Sequence, residues 1–198
     1  MSKKSPIIGI LALQGDYQKH TQILDKINVS SVEVHRAEDF ERIDRLIIPG
    51  GESTVMLKLM KRLGLEDAFT EFIKNKPVWG TCAGMVLLAS QVNNHSQQTY
   101  DAIDIVVDRN GYGRQYFSSV EPSLFEMNGF CEKINLVFIR APRVINVGKG
   151  VRTLISWNND PVFLSQNNIL VSSFHPELTG SSFLHDYFAH NFQSDAYK

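Results

Sequence analysis

The sequence lacks every feature that would staple, anchor or charge a protein as a whole. It has only two cysteines, Cys82 and Cys131, far apart and outside any C-x-x-C or Cys/His spacing, which argues against a disulfide framework and a structural metal site. No apolar run is long enough to span a membrane. Its 20 basic and 21 acidic residues leave a formal net charge of −1, so no overall field draws it to nucleic acid or to an anionic membrane surface. A ligand must be recognised locally. Two lysines precede the first apolar run, as in a signal peptide, but Gln14-Gly15-Asp16 stands where a small-residue cleavage site would be. The expectation is a cytoplasmic protein with neither a membrane nor a nucleic-acid partner. There is no internal repeat, low-complexity tract or linker, and 198 residues, 43% of them apolar, suit one domain over residues 1–198.

What is present is an alternation of short apolar runs and amphipathic stretches. Residues 7–13 form a continuous apolar run ended by Gly15, which suits a strand covered on both faces. Residues 17–27 space their apolar positions helically. Residues 32–35 and 44–49 read as the second and third strands, the latter stopped by Pro49-Gly50-Gly51. Ser53 or Thr54 can cap a helix with Val55, Met56, Leu59, Met60 and Leu63 on one face, where the methionines are read as core packing. A helix over 65–74 leads to Val78-Trp79, a glycine turn around Cys82, and a further helix over 85–89. Residues 91–99 read as a loop. Strands follow at 103–107, 136–139, 153–157, 162–164 and 169–172, and a helix over 181–192 closes the chain. The pattern predicts an α/β fold with a mostly parallel sheet and helices on both faces.

Three motifs carry chemistry. In Gly80-Thr81-Cys82-Ala83-Gly84, glycines two before and two after the cysteine match a nucleophile elbow, a sharp strand-to-helix turn with little room for side chains. The turn sets the sulfur at a helix N-terminus, where the dipole and free N–H groups favour a thiolate. A structural cysteine is the plainer reading of a lone thiol, but two glycines at a strand–helix junction favour the elbow. The second motif is Ser173-Phe174-His175-Pro176-Glu177, after an apolar strand. Pro176 biases His175 to an extended conformation, so Glu177 falls on the same side and can orient the imidazole as base. His20, His35, His95, His185 and His190 lack that context and are expected to be solvated or structural. The third is Pro49-Gly50-Gly51-Glu52-Ser53-Thr54. It can be only a turn, or a phosphate-binding helix start. An acyl-transfer oxyanion, however, needs a donor beside the Ala83 N–H, and Gly50 or Gly51 can supply it.

These motifs resemble the class I, triad-type glutamine amidotransferases, and within them the glutaminase subunits of two-component pyridoxal 5′-phosphate synthases. The likeness rests on Leu13-Gln-Gly15, Pro49-Gly-Gly-Glu-Ser-Thr54, Gly80-Thr-Cys-Ala-Gly-Met85, Arg109-Asn110 with Gly113-Arg-Gln115, Phe138-Ile-Arg-Ala-Pro142 and Ser173-Phe-His-Pro-Glu-Leu178, distributed over nearly the whole chain. It implies a flavodoxin-like three-layer sandwich, with Cys82 as nucleophile, His175 as base and Glu177 as its partner. It also implies L-glutamine contacts from Gly51, Glu52, Ser53, Arg109, Ile139 and Arg140, no metal and no cofactor, and hydrolase and lyase activity. The implied partner is a (β/α)₈-barrel synthase subunit that switches the glutaminase on and takes its ammonia. Residues 93–102 depart from the family pattern, lacking the Leu-Gly-Leu-rich approach to Arg109-Asn110. Without the resemblance, Arg109 and Arg140 read as ordinary ion-pair residues. A glutaminase of histidine or purine synthesis, a γ-glutamyl hydrolase, and a non-catalytic regulatory module of the same fold are the alternatives.

Overall fold

Apolar runs that do not alternate become strands buried on both faces, and those strands set the site. A computed structural model describes residues 5–112, 118–127 and 130–192, without the side chains of Ser118, Met127 and Phe130. In chain order the elements are β1 (Ile8–Leu11), α1 (Tyr17–Lys26), β2 (Ser31–Val34), a 3₁₀ turn (Ala37–Arg42), β3 (Arg45–Ile48), α2 (Ser53–Arg62), α3 (Glu66–Asn75), β4 (Val78–Thr81), α4 (Ala83–Leu88) and β5 (Ala89–Val92). Then come β6 (Ile103–Asp108), β7 (Ser118–Met127), β8 (Phe130–Ile139), β9 (Arg143–Val147), β10 (Arg152–Trp157), β11 (Asp160–Gln166), β12 (Ile169–Ser172), a 3₁₀ turn (Pro176–Leu178), α5 (Phe183–Asp186) and a π turn (Tyr187–Asn191).

The seven-stranded sheet has the order β10-β11-β12-β4-β3-β1-β2. Its pairs from β12 to β2 are parallel, whereas β10, β11 and β12 pair antiparallel. Successive residues of β3 go to opposite sides. Ile48 packs with Met56, Met60 and Phe69 of α2 and α3, and Ile47 with Leu24 of α1 and Phe188 of the last turn. Helices thus cover both faces, and the result is the flavodoxin-like three-layer arrangement. Met56 and Met60 are wholly buried core residues.

Several elements differ from the pattern read in the sequence. The 136–139 strand is the end of a long hairpin in which β7 pairs with β8 over Ser118↔Ile139 to Met127↔Phe130. In β7 the polar Ser119, Glu121 and Ser123 alternate with exposed Val120 and Leu124, so no apolar face announced it. The loop at 91–99 begins only after β5, and the closing helix is α5 with the π turn. Neither Ser53 nor Thr54 caps α2: the N-cap is Glu52, extended at φ −108° and ψ 106°, and no side chain bonds the helix start. The glycine pair carries the chain out of β3 extended, so helical angles begin only at Ser53. Gly113-Arg114-Gln115 of the resemblance lies outside the described residues. Among the described residues no helix is long and apolar enough to cross a membrane.

Candidate active site

The cleft lies where β1, β3, β4 and β12 deliver their C-terminal ends, joined by the ends of β6 and β8. Parallel pairing brings the ends of β1, β3, β4 and β12 to one edge of the sheet. At β4 the chain turns into α4 through Cys82, held at φ 48° and ψ −101°, an angle pair that L-residues avoid and that points the side chain off the sheet edge. The glycines of the elbow are sterically required: a Cβ on Gly80 would stand 2.6 Å from the Gly84 carbonyl, and one on Gly84 would stand 2.4 Å from the Ile48 oxygen. The Cys82 N–H donates to the Ser172 carbonyl at 2.8 Å, which ties the elbow to β12.

His175 follows β12, and its backbone N–H donates to Val137 O of β8 at 2.8 Å. Its Nδ1 lies 2.7 Å from Glu177 Oε1. The pair forms, though not through the extended segment expected: Pro176–Leu178 is a 3₁₀ turn, because the Leu178 N–H closes onto His175 O at 3.2 Å. The turn, not strand alternation, brings the carboxylate under the ring. His175 Nε2 has no partner at strict hydrogen-bond geometry, and the group it faces is Cys82. Burial alone would lower the proton affinity of His175, but hydrogen bonding and charge from Cys82, then from Glu177, outweigh it and push the imidazole up to about 10. Burial would likewise raise Glu177. His20 and His175 reverse that, and the carboxyl stays below its ordinary range.

Gly50 fills the space between base and nucleophile. A Cβ there would meet His175 Cε1 at 2.4 Å and Cys82 Cβ at 3.5 Å, so only glycine lets the 49–54 loop run this close. Gly51 holds φ +154°, and Gln14 Oε1 occupies the place of its missing Cβ while accepting the Glu52 N–H at 2.7 Å. Glu52 pairs with Arg109 across the mouth, and Thr54 Oγ1 donates to the same carboxylate at 3.0 Å. The Ser53 hydroxyl donates to Gln97 Oε1 at 3.0 Å, placing a residue of the atypical 93–102 segment beside the loop.

Gly50, Gly51, Glu52, Ser53, Cys82, Ala83, Arg109, Ile139, Arg140 and His175 all line one cleft of about 350 Å³, together with Gly15, Asp16, Val86, Asn110, Pro142 and Leu178. Ile139 O is 4.0 Å from Cys82 Sγ, and Arg140 leaves β8 at φ +45°. Glu177 sits behind His175, with its side chain wholly buried. Cys131 is exposed on the hairpin, away from the cleft. Of the remaining histidines, His35 pairs with Glu33 and His190 with Asp186 at the surface, and His95 is 3.5 Å from Arg109 Nη1. His20 and His185 are different. Both are fully buried, His20 against Glu177 and His185 against His20, a placement sequence reasoning missed although His20 stands on the apolar stripe Tyr17, His20, Leu24 of α1. Nor did spacing point to a role for Gln14.

A cysteine on a strained elbow, an imidazole facing it and a buried carboxylate behind, on this three-layer fold, define a cysteine-dependent amidotransferase of the triad type. Residues 10–194 match the SNO glutamine amidotransferase family, and the chain belongs to it. It is 46% identical to the pyridoxal 5′-phosphate synthase subunit PdxT of Fervidobacterium nodosum, with 92% of this chain and 95% of that protein covered. To the protein of the same name from Thermosipho africanus it is 45% identical over 91% and 96%. A solved glutamine amidotransferase superposes with TM-score 0.84 at 38% identity, covering 91% of this chain and 96% of the other. The structure of PurLQS from Thermotoga maritima shares the fold, with TM-score 0.64 at 13% identity over 94% of each chain.

Proposed function

We propose that this chain is the glutaminase subunit of a pyridoxal 5′-phosphate synthase, one domain over residues 1–198 that hydrolyses L-glutamine to L-glutamate and ammonia. The observation that carries the reading is the 2.7 Å His175–Glu177 contact behind Cys82, in a chain of this family. Cys82 sulfur attacks the side-chain amide carbon of glutamine, and the C=O electron pair moves onto oxygen. The N–H of Ala83 and an N–H of Gly50 or Gly51 stabilise that oxyanion. As the tetrahedral species collapses, the C–N bond breaks and His175 hands its proton to the departing nitrogen, giving ammonia and a γ-glutamyl thioester. His175 then takes a proton from water as it attacks the thioester carbonyl, and glutamate leaves Cys82. Glu177 keeps the Nδ1–H of His175 in place throughout.

Arg109 or Arg140 pairs with the α-carboxylate of glutamine, and Glu52 with its ammonium, while Gly51, Ser53 and Ile139 complete the pocket. The chain's own reaction is a hydrolysis, so lyase activity is inconsistent with it and is not assigned. Free ammonia would be protonated in water, which favours direct transfer to a (β/α)₈-barrel synthase in the cytoplasm. The experiment is glutamate release with and without that synthase, and pyridoxal phosphate formation from glutamine, ribose 5-phosphate and glyceraldehyde 3-phosphate. Cys82→Ala is expected to lower glutamate release by about 10⁶-fold. Full activity in that variant overturns the mechanism, and glutaminase activity without pyridoxal phosphate formation moves the chain to another amidotransferase pathway.

A further inference from the structure

Behind the Cys82, His175 and Glu177 constellation the structure holds two more titratable groups that the hydrolysis as written does not use. His20 of α1 and His185 of α5 have no solvent exposure. His20 Nδ1 lies 2.9 Å from His185 Nε2, and His20 Nε2 lies 3.4 Å from Glu177 Oε2. That last contact is too oblique to count as a full hydrogen bond, yet neither atom has any other partner among the described residues. Among the described side chains each is the nearest polar group the structure records for the other. Trp79 packs on both rings in T-shaped contacts, with centroids 6.4 Å from His20 and 5.2 Å from His185, which locks their orientations.

We propose that His20 is a positioning residue for the triad: its Nε2–H holds the outer oxygen of Glu177, and His185 fixes the tautomer that puts the proton there. The inference rests on the triad reading above. A carboxylate buried this completely needs a donor on each oxygen, or it bears the full desolvation cost of the bare one. Among the described residues His175 Nδ1–H serves Oε1 and His20 is the side chain placed at Oε2, while the backbone N–H of Glu177 also bonds its own carboxylate. The short contact between the two imidazoles carries a single proton. Were it on His20 Nδ1, the lone pair of Nε2 would face a carboxylate oxygen, lone pair against lone pair. With it on His185 Nε2, His20 presents N–H to Glu177. The negative charge therefore selects one tautomer, in which the N–H groups along the line His185, His20, Glu177 all point toward the carboxylate. Burial lowers the proton affinity of both histidines, so His20 acts as a neutral donor. Besides Glu177 and His185, the charged or titratable groups near it are His175 and Asp16. A packing role alone would be met by any apolar side chain of similar size. The donor role would not.

Three variants and one spectrum separate these possibilities, using the glutaminase assembled with its synthase. His20→Leu removes the donor, and kcat for glutamate release is expected to fall roughly ten- to hundredfold, the usual effect of losing the outer partner of a catalytic group, with KM within about twofold. His20→Gln places an amide nitrogen where the imidazole Nε2 was, and most of the lost kcat should return. His185→Leu frees the tautomer and should cost less than His20→Leu. Equal losses in His20→Leu and His20→Gln, or kcat within about twofold of wild type in His20→Leu, overturn the proposal. Should His20→Leu fail to fold, the imidazole ¹⁵N spectrum of the unmodified protein decides. Both His20 and His185 are expected as the Nε2–H tautomer, and a proton on His20 Nδ1 sinks the idea. An inactive Cys82→Ala beside a fully active His20→Leu would spare the triad and remove this inference alone; an active Cys82→Ala would remove the triad itself.

Discussion

The two sides of the His175 ring are built to opposite specifications. In front lie Cys82, the glycine loop and the Glu52–Arg109 ion pair, whose side chains are 44% and 22% exposed. Behind lie Glu177 and His20, both with 0% of the side chain exposed. On the proposed function the front must exchange partners, since a substrate with a carboxylate and an ammonium would displace the pair that Glu52 and Arg109 make with each other. Exposed ion pairs suit that, being weak and replaceable. The back has nothing to exchange. Its contacts are dry, directional and strong in proportion to their burial, so it can fix a ring orientation while the front is remodelled.

The sharpest way to break the comparison is to push the front against the back. Gly50→Ala would set a Cβ 2.4 Å from His175 Cε1 and 2.9 Å from Nδ1, and the buried back gives the ring nowhere to go. The loop must yield or the ring must tilt, and either misaligns nucleophile and base. Glutamate release in the complex is expected to fall by roughly a hundredfold, the scale of an ångström of misplacement. Retention of more than half the activity would mean that the ring is not held from behind.

A change confined to the front should look different. Arg109→Gln removes one side of the mouth ion pair and a candidate carboxylate contact. Its main effect is expected on KM, a rise on the order of tenfold for a lost charge-assisted bond, with kcat changed by no more than about threefold. Because the pair is partly exposed, the wild-type KM should rise with ionic strength and that of Arg109→Gln should rise less. Steady-state kinetics at low and high salt test this. A kcat defect insensitive to salt would place Arg109 with the rigid side.

Much of the front was legible in the sequence, and most of the back was not, for one physical reason. The elbow, the 49–54 glycine loop and His-Pro-Glu are local: glycines mark where backbones must approach, and Gly80, Gly84 and Gly50 each prove to face an atom under 3 Å from the missing Cβ. Strands β1, β3, β4 and β12 were legible too, because central strands of a parallel sheet are apolar throughout. The His20–His185 contact spans 165 residues, and no spacing announces such a pair. Only the apolar stripe of α1 hinted that His20 points inward. The β7–β8 hairpin escaped for another reason: in β7 the polar Ser119, Glu121 and Ser123 take the less exposed side and Val120 and Leu124 the exposed one, so the alternation marks no buried apolar face. Glu177 stands beside His175 as expected but by a different route, since a 3₁₀ turn replaces the extended geometry assumed.

The smallest expected effect concerns which side governs the proton on His175. An unfolded imidazole titrates near 6.5, whereas in the fold His175 is pushed up to about 10. A group raised in this way contributes stability that is fully present below about pH 6.5 and lost as pH rises through about 10. Of the two groups that raise it, Cys82 in front exceeds Glu177 behind. Denaturant unfolding of the wild type between pH 6.5 and 10 should therefore show stability declining with pH. Cys82→Ala should complete that decline at lower pH and lose less stability over it, because the larger raising contribution is gone, while His20→Leu should leave its upper end nearer to wild type. An upper end shifted more by His20→Leu than by Cys82→Ala would make the buried side, not the thiol, the control on the His175 proton, and the division between a yielding front and a fixed back would have to be redrawn.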